Sequence, residues 1–137
     1  MRAVLDPNVI ISALLSPRGT PARILLAWLD GAFELVVSEK LIAELERALA
    51  YPKLRARISA EDAAELIELL AQSAADVEDP PDPAPVRSPD PGDDYLVSSA
   101  QAASAVLVSG DKHLLGLKGR IPVYAAAEFL AMLEAGP

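Results

Sequence analysis

The feature that most constrains the fold is the alternation of short, largely apolar runs with longer segments of helical periodicity. The runs have four or five residues, a length typical of strands. Apolar strands that alternate with helices indicate a parallel sheet covered on both faces. The predicted strands are residues 2–5, 33–37, 105–108 and 121–124, and the predicted helices are residues 9–15, 20–30, 38–50, 59–73, 94–103 and 126–134. Asn8 is the predicted cap of the first helix, Pro52 is expected to break the third, and residues 79–92 are a predicted loop. We therefore predict an α/β fold of three layers (α/β/α) with a central parallel sheet of four to five strands.

The length of the chain favours one domain. It has 137 residues, of which 52% are hydrophobic, enough for one core but with little left for a second. There is no cysteine, which excludes disulfides, thiolate zinc sites and cysteine nucleophiles. No apolar run approaches the roughly 20 residues that span a membrane, and Asp6 comes too early for a signal-peptide core. We predict a single domain over residues 1–137, located in the cytoplasm and without a membrane partner.

The net charge of −8 is unfavourable for a protein that binds nucleic acid, but the charges are unevenly distributed. Seven acidic residues lie between positions 76 and 94 in a Pro-rich stretch, and bound cations would cancel the charge of any that are metal ligands. Four of the twelve basic residues follow Glu44 closely, namely Arg47, Lys53, Arg55 and Arg57. This basic segment is a candidate surface for an extended polyanion such as a nucleic acid, and the alternative is a solvated face that balances an acidic protein.

Two of the predicted strands end in an aspartate. Asp6 follows the first strand directly, and Asp111 follows the third strand after Ser109 and Gly110. In open α/β sheets, ligands bind beyond the carboxyl ends of the parallel strands. Either aspartate alone is equally well explained as a turn residue or a helix cap. Two aspartates at strand ends in one small sheet favour the interpretation that both belong to the same binding site.

Glu44 is a candidate of a different kind, because it lies within a predicted helix. At helical spacing it borders the apolar stripe of that helix instead of standing opposite it. The alternative is a boundary residue that pairs with Arg47 or Lys40. Helical spacing alone does not separate these two interpretations.

Three aspartates, Asp90, Asp93 and Asp94, fall within five residues just before the predicted helix 94–103. One aspartate is enough to cap a helix and to interact favourably with its dipole. Three exceed what capping requires, and a bound cation would relieve their mutual repulsion. We therefore predict that this segment binds a metal ion in addition to capping the helix.

Carboxylates are the best-supplied catalytic groups in this sequence. Hard divalent cations such as Mg²⁺ and Mn²⁺ take oxygen ligands, and a pair of them can activate water and stabilise the leaving oxygen in phosphodiester cleavage. His113 is the only histidine, so a zinc site or a Ser/His/Asp triad is poorly supported. No Gly-rich phosphate-binding loop follows a strand. The residues favour metal-dependent cleavage of phosphodiesters.

Four segments, in order along the chain, resemble the motifs of the PIN-domain ribonuclease family. They are residues 4–15, residues 38–45 with the acidic position at Glu44, residues 90–94 and residues 108–115. The segment Leu-Ala-Tyr-Pro-Lys-Leu at positions 49–54 is similar to a branch described as toxin components of toxin–antitoxin systems, related to VapC. The resemblance covers nearly the whole chain.

This resemblance implies a parallel-sheet α/β/α fold, Mg²⁺ or Mn²⁺ as cofactor, and endonucleolytic cleavage of RNA. It assigns catalytic and metal-holding roles, by position, to Asp6, Glu44, Asp93 and Asp111. The supporting polar residues would be Asn8, Ser109, Asp90 and Asp94. It also implies an antitoxin protein as partner and a homo-oligomer, a dimer. Pro7 and Leu115 depart from the family pattern, and the second departure implies a weakly held second metal.

Three functional interpretations follow. The leading one is an RNA endonuclease in which the carboxylates hold metal and an activated water attacks phosphorus, as the toxin of a toxin–antitoxin pair. The second is a PIN-fold RNA-binding or regulatory module without turnover, against which the full set of four acidic positions argues. The third is a metal-dependent phosphatase, which would need a closed pocket and a nucleophilic aspartate.

Overall fold

Five parallel strands form the central sheet of the computed structural model, which describes residues 1–80 and 86–136. The strands are β1 (Arg2–Leu5), β2 (Glu34–Val37), β3 (Ala75–Asp76), β4 (Val106–Val108) and β5 (Val123–Tyr124). They are hydrogen-bonded in the order β3-β2-β1-β4-β5, and each neighbouring pair is parallel. The predicted α/β fold with a parallel sheet of four to five strands is confirmed.

Helices cover the sheet and connect its strands. They are α1 (Pro7–Leu15), α2 (Thr20–Leu29), α3 (Glu39–Leu49), α4 (Pro52–Arg55), α5 (Ala60–Ser73), α6 (Asp94–Ala102), α7 (Lys112–Leu115) and α8 (Ala126–Ala135). The chain runs outward from β1 through β2 to β3 and then returns to β4, so right-handed connections place α1 to α5 and α6 on opposite faces. Taken singly, none of the described helices is long and apolar enough to cross a membrane, and α1 with α2 passes that test only as a pair bent by 102°.

The start of α1 differs from the prediction that the helix begins at Val9 under an Asn8 cap. The helix begins at Pro7, and Asp6 is its cap, with the Asp6 Oδ1 atom accepting a hydrogen bond from the Asn8 backbone N–H at 3.0 Å. Proline suits the first helical position because its φ is already helical and its missing N–H would have no helical partner there. The cap is therefore the residue before the proline.

Three short elements were not predicted, namely β3, α4 and α7. Strand β3 has two residues, too few for any periodicity to show in the sequence. Pro52 was expected only to break the preceding helix, but it also begins α4. The predicted loop 79–92 lies partly outside the described residues, and its described end contains a 3₁₀ turn over Pro91–Asp93.

The two central strands form the most deeply buried part of the core. Ala3, Val4 and Leu5 of β1 and Leu107 and Val108 of β4 are fully buried. Each fully buried leucine or valine stabilises the fold by about 1.5–3 kcal/mol relative to an exposed position. The backbone N–H of residue 6 extends the ladder by one bond, donating to the residue 108 carbonyl at 2.9 Å. The buried sheet therefore holds the backbone of the residues that directly follow β1 and β4 in place.

Candidate active site

The carboxyl ends of β1 and β4 form the switch point of the sheet. From β1 the chain continues to β2 on one side, whereas β4 and β5 lie on the other side. Connections diverge at such a point and leave a crevice outside the strand ends. Because Leu5 pairs with Val108, the residues that follow them, Asp6 and Ser109, face each other across this crevice.

Asp6 is a buried carboxylate that is only 5% exposed. Its Oδ1 atom accepts from the Asn8 backbone N–H, and its Oδ2 atom accepts from the Ser109 hydroxyl at 2.8 Å. Burial raises the pKa of Asp6 above its usual value, and the nearby charge of Asp111 adds to the rise, while the two hydrogen bonds oppose it. Asn8 itself is exposed and supports Asp6 through its backbone.

Ser109 connects Asp6 to Asp111. It is fully buried, and its hydroxyl donates to Asp6 while accepting from the Asp111 backbone N–H at 3.0 Å. Asp111 caps α7, because its Oδ1 atom accepts from the His113 backbone N–H at 2.7 Å. The Asp111 side chain is 31% exposed, so part of it faces the crevice entrance. One hydroxyl group therefore links the carboxylate of Asp6 to the backbone of Asp111.

Asp93 approaches the same crevice from the 3₁₀ turn before α6 and is partly buried. Burial, followed by the negative charges of Asp6, Asp90 and Asp111, raises the pKa of Asp93 to about 6. A side-chain hydrogen bond between Asp93 and Asp111 also favours the protonated form of Asp93. The structure thus brings Asp6, Asp93 and Asp111 together, and we call these three residues the carboxylate cluster.

The other two aspartates of this segment have different partners. Asp90 caps the 3₁₀ turn, with its Oδ1 atom accepting from the Gly92 backbone N–H at 2.9 Å. Asp94 accepts from the Ser88 backbone N–H at 2.6 Å, and its second oxygen lies 3.8 Å from the Arg87 guanidinium. Both residues therefore hold the turn that carries Asp93, and the charge of Asp90 still acts on Asp93.

Glu44 lies at the rim of the carboxylate cluster, on the exposed face of α3. Its Oε2 atom pairs with the Arg47 guanidinium at 2.5 Å, the pairing that the sequence offered as an alternative. Its side chain is 48% exposed. The Glu44 charge nevertheless acts on the hydroxyl of Tyr95, as the charges of Asp6 and Asp93 do. Glu44 thus lies near the cluster, but its carboxylate is bound to the Arg47 guanidinium and not to a cluster residue.

Two residues that were not assigned to the site from the sequence lie beside it. Tyr95, in the first turn of α6, has a pKa raised well above its usual value. Burial contributes most, followed by the negative charges of Glu44, Asp6, Asp93 and Asp79. Asp79 accepts from the Lys40 backbone N–H at 3.0 Å, and within the described residues its Oδ1 atom is buried without a hydrogen-bond partner. In the sequence Asp79 is one of seven acidic residues in the same stretch, and Tyr95 resembles any apolar residue of a helix.

The donor chemistry of the carboxylate cluster fits Mg²⁺ or Mn²⁺. Carboxylate oxygens are the ligands that these hard cations take, and a bound cation would neutralise the repulsion that raises the pKa of Asp6 and Asp93. Over residues 1–80 and 86–136, no three His, Asp or Glu side chains stand close enough to hold a metal ion as they are. Binding would therefore require the cluster side chains to turn toward a common point.

The basic segment lies at the corner between α3 and α4, and all four of its residues are exposed. Arg47 is paired with Glu44, and the Arg55 guanidinium donates to the Leu49 backbone carbonyl at 3.4 Å. Lys53 lies on α4, and Arg57 follows it at the edge of a groove between α2 and α5. The structure therefore places one of these cations directly beside the site and the others farther along the surface.

Comparison with known proteins assigns the family. A family model described as PIN domain matches residues 2–113, a span that contains every residue of the carboxylate cluster. The uncharacterized protein MJ1680 of Methanocaldococcus jannaschii is 30% identical over 119 residues, which cover 86% of this chain and 76% of that protein. Both matches extend over most of the chain.

Solved structures share the fold at lower identity. The crystal structure of PAE2754 from Pyrobaculum aerophilum has a TM-score of 0.68 and 20% identity, covering 98% of this chain and 90% of that chain. VapBC2 from Rickettsia felis, bound to a DNA fragment from its promoter, has a TM-score of 0.58 and 15% identity, covering 91% and 97%. FitAcB from Neisseria gonorrhoeae has a TM-score of 0.50 and 19% identity, covering 91% and 98%. Since the PIN domain model matches most of its length, this chain belongs to the PIN domain family.

Proposed function

We propose that this chain is a metal-dependent endoribonuclease, acting as one domain over residues 1–137. The observation that carries the proposal is the convergence of Asp6, Asp93 and Asp111 at the switch point of the sheet, where their charges repel one another. Membership of the PIN domain family supports it, because PIN domains are generally nucleases. No comparable support exists for the phosphatase interpretation.

In this proposal Asp6, Asp93 and Asp111 hold Mg²⁺ or Mn²⁺, and Glu44 contributes from the rim. The bound cation would polarise a phosphoryl oxygen and lower the pKa of water. Ser109 keeps Asp6 and Asp111 in a fixed relation through its two hydrogen bonds. Because the pKa of Asp93 is raised to about 6, metal binding near or below that pH should release protons from Asp93.

The substrate in this proposal is RNA, and the basic segment would contact phosphates that flank the scissile bond. Arg47 lies beside Glu44 and would contact a phosphate next to the scissile bond. Lys53, Arg55 and Arg57 continue the positive charge along the surface. An extended polyanion suits this distribution better than a small phosphoester does.

The biological setting that we propose is the toxin component of a toxin–antitoxin pair, with an antitoxin protein as partner. Two of the structures that share the fold, VapBC2 and FitAcB, are toxin–antitoxin complexes, and this supports the proposal. We further propose a homodimer that acts in the cytoplasm. Size-exclusion chromatography with light scattering, on the chain alone and after co-expression with a candidate antitoxin, would test both associations.

The deciding experiment measures cleavage of a labelled single-stranded RNA by the wild type and by Asp111→Asn, with Mg²⁺, with Mn²⁺ and with excess chelator. Calorimetric titration with Mn²⁺ gives a second readout that does not depend on activity. We expect cleavage only by the wild type and only with metal, and weaker Mn²⁺ binding by the variant. Full wild-type cleavage after thorough chelation would refute the metal dependence. RNA binding and Mn²⁺ binding without any cleavage would favour the non-catalytic RNA-binding module.

A further inference from the structure

Tyr51 is exposed to an extent that sets it apart from the other aromatic residues. The chain has six aromatic residues, all within its described part: Trp28, Phe33 and Phe129 are buried, Tyr95 and Tyr124 are partly buried, and Tyr51 is 60% exposed. Single exposed apolar side chains are common on protein surfaces. Two further features distinguish Tyr51, namely how its backbone is held and which side chains surround its ring.

The backbone of Tyr51 is held firmly at the corner between α3 and α4. Its N–H donates to the Ala48 carbonyl at 3.2 Å, and its own carbonyl accepts from the N–H groups of Leu54 and Arg55 at 3.0 and 2.9 Å. The following residue, Pro52, has a fixed φ. The exposed ring is thus carried by an ordered backbone, so binding of a partner to the ring incurs little of the usual entropic cost of ordering a segment.

The ring stands at the end of a row of exposed side chains on α3. Lys40, Glu44 and Arg47 precede Tyr51 at spacings of four, three and four residues, which places all four side chains on one helical face. The helical path continues through Ala50, which still has an αR backbone, and Tyr51 follows it as the cap of α4 with an extended backbone. Glu44 marks the rim of the carboxylate cluster, and Tyr51 lies seven residues farther on, about 10 Å along the helix axis.

We propose that this face of α3 is a track for single-stranded RNA on which the ring of Tyr51 stacks against a base. Lys40 and Arg47 lie on either side of Glu44 and would contact backbone phosphates, and Lys53 extends the positive charge past the ring. A cationic groove combined with aromatic rings that stack on bases is the usual construction of single-strand binding surfaces. The inference rests on the proposed endoribonuclease function and specifies where the strand lies relative to the carboxylate cluster.

The surroundings of the ring favour RNA over a protein partner. Arg47 and Lys53 are exposed near Tyr51, and a polyanion complements them. The other strongly exposed apolar side chains of helical segments, Leu26 at 59% and Leu29 at 51%, lie on α2. A surface that docks an apolar protein segment is expected there, where apolar side chains adjoin, and not beside an isolated ring among charges.

The test compares the wild type, Tyr51→Phe and Tyr51→Ala in binding to a labelled single-stranded RNA in the presence of Ca²⁺. A matched series of oligonucleotides lacks one base at a time. We expect Tyr51→Phe to bind like the wild type and Tyr51→Ala to bind about five- to a hundredfold more weakly, since the ring and not the hydroxyl makes the contact. Removing the base at one position should weaken wild-type binding by a similar factor and should not weaken Tyr51→Ala further.

Salt dependence separates stacking from phosphate binding. Tyr51→Ala should leave the slope of log affinity against log salt unchanged, because stacking releases no counterions. Replacing Lys53, Arg55 and Arg57 together by Ala should lower the magnitude of that slope by about 0.7 for each phosphate that is no longer neutralised. Leu26→Ala, which removes a similarly exposed apolar side chain from α2, is the matched control and should change neither affinity nor slope. Thermal melting of every variant checks that it is folded.

Equal RNA affinity of Tyr51→Ala and the wild type would overturn the inference and assign the ring to another surface. The same loss in Tyr51→Phe, or a loss that no abasic position reproduces, would overturn it as well. If the wild type cleaves RNA with metal but its binding does not depend on Tyr51, this inference fails while the proposed function stands. If the wild type neither binds nor cleaves RNA, both fail.

Discussion

The two walls of the candidate site are built in different ways. One wall consists of the ends of β1 and β4, where a single buried hydroxyl on Ser109 bonds to Asp6 and Asp111. The other wall is the exposed face of α3, where Glu44 is half exposed and forms an ion pair with Arg47. We call these the strand wall and the α3 wall. The register of buried strands fixes the positions of the strand-wall residues, whereas solvent-exposed side chains determine the arrangement of the α3 wall. Residues with equivalent places in the family motifs are therefore not equivalent in structure.

The strand wall, together with Asp93 from the turn before α6, also concentrates electrostatic repulsion. Burial and neighbouring negative charges raise the pKa of Asp6 and of Asp93, which means that the folded protein resists ionising these groups. Sites that must bind a cation commonly sacrifice stability in this way. The strand wall should therefore be the part of the molecule in which function and stability oppose each other.

The two walls should differ most in how strongly substitutions in them lower RNA cleavage. Asp6→Asn and Asp111→Asn remove a charge and keep the shape of the side chain, so each should lower metal-dependent RNA cleavage about a hundredfold or more. Glu44→Gln should lower it less, because Glu44 stands at the rim. Initial cleavage rates over a range of Mn²⁺ concentrations measure the difference. Equal losses in all three variants would show that Glu44 moves fully into the cluster when metal binds.

Loss of the Ser109 hydroxyl should have the next largest effect, on stability. Ser109→Ala leaves an oxygen of Asp6 and the backbone N–H of Asp111 without their partner in a buried place, which costs about 1–3 kcal/mol of unfolding free energy. Chemical denaturation in chelator measures it. Ser12→Ala, on the exposed side of α1, is the control and should change stability by a few tenths of a kcal/mol at most. Similar small effects from both variants would mean that water replaces the lost hydroxyl.

Asp93→Asn should stabilise the metal-free protein in a pH-dependent way. The folded pKa of Asp93, about 6, lies above the unfolded value of 3.8, so the folded state binds more protons between these values. The wild type should therefore lose unfolding free energy as pH rises from about 4 to about 6, because Asp93 ionises in this range. Asp93→Asn lacks this group and should not show the loss that Asp93 causes. After allowance for solvent screening, the gain near pH 7 is on the order of 1 kcal/mol.

Thermal melting in chelator at pH 4, 5 and 7 measures the effect of Asp93→Asn, with Asp90→Asn and Asp94→Asn as matched variants. Asp94 braces the turn through the Ser88 backbone N–H, so Asp94→Asn should not stabilise the protein. Asp90→Asn removes one of the charges that act on Asp93, so it should stabilise the protein less than Asp93→Asn does. In saturating Mn²⁺ the advantage of Asp93→Asn should shrink or reverse, because the wild type gains more from the cation. A stabilisation that is the same at all three pH values would exclude charge repulsion as its cause.

The sequence predicts the strand wall better than the α3 wall for a physical reason. Asp6 and Asp111 follow apolar strands, and parallel strands that share a sheet bring their carboxyl ends to one edge, so their proximity follows from the fold class. Glu44 is placed by helical spacing, which gives a face but not the contact that its side chain makes there. Its pairing with Arg47 depends on rotamers, and the sequence left that pairing as one of two alternatives.

Other features could not be predicted because they depend on contacts between distant segments. Strand β3 has two residues, and its place at the edge of the sheet is set by pairing with β2. Tyr95 lies near four carboxylates from four different segments, which no local pattern shows. Asp79 bonds to the backbone at the start of α3, 39 residues away along the chain. The fold class needs only local periodicity, whereas these placements need the tertiary structure.

The smallest expected effect belongs to the ion pair of the α3 wall. Both side chains are well exposed, and exposed pairs at this helical spacing contribute about 0.2–0.5 kcal/mol. Arg47→Ala should therefore change the unfolding free energy in chelator by less than about 0.5 kcal/mol, and salt should shrink the change further because it screens the pair. Arg23→Ala breaks a similarly exposed pair with Glu134 and is the matched control. A loss well above that of Arg23→Ala, and comparable to that of Ser109→Ala, would mean that the pair orders α3 as firmly as the strands order Asp6. The two walls would then be equally preorganised, and Glu44→Gln should impair cleavage as severely as Asp6→Asn.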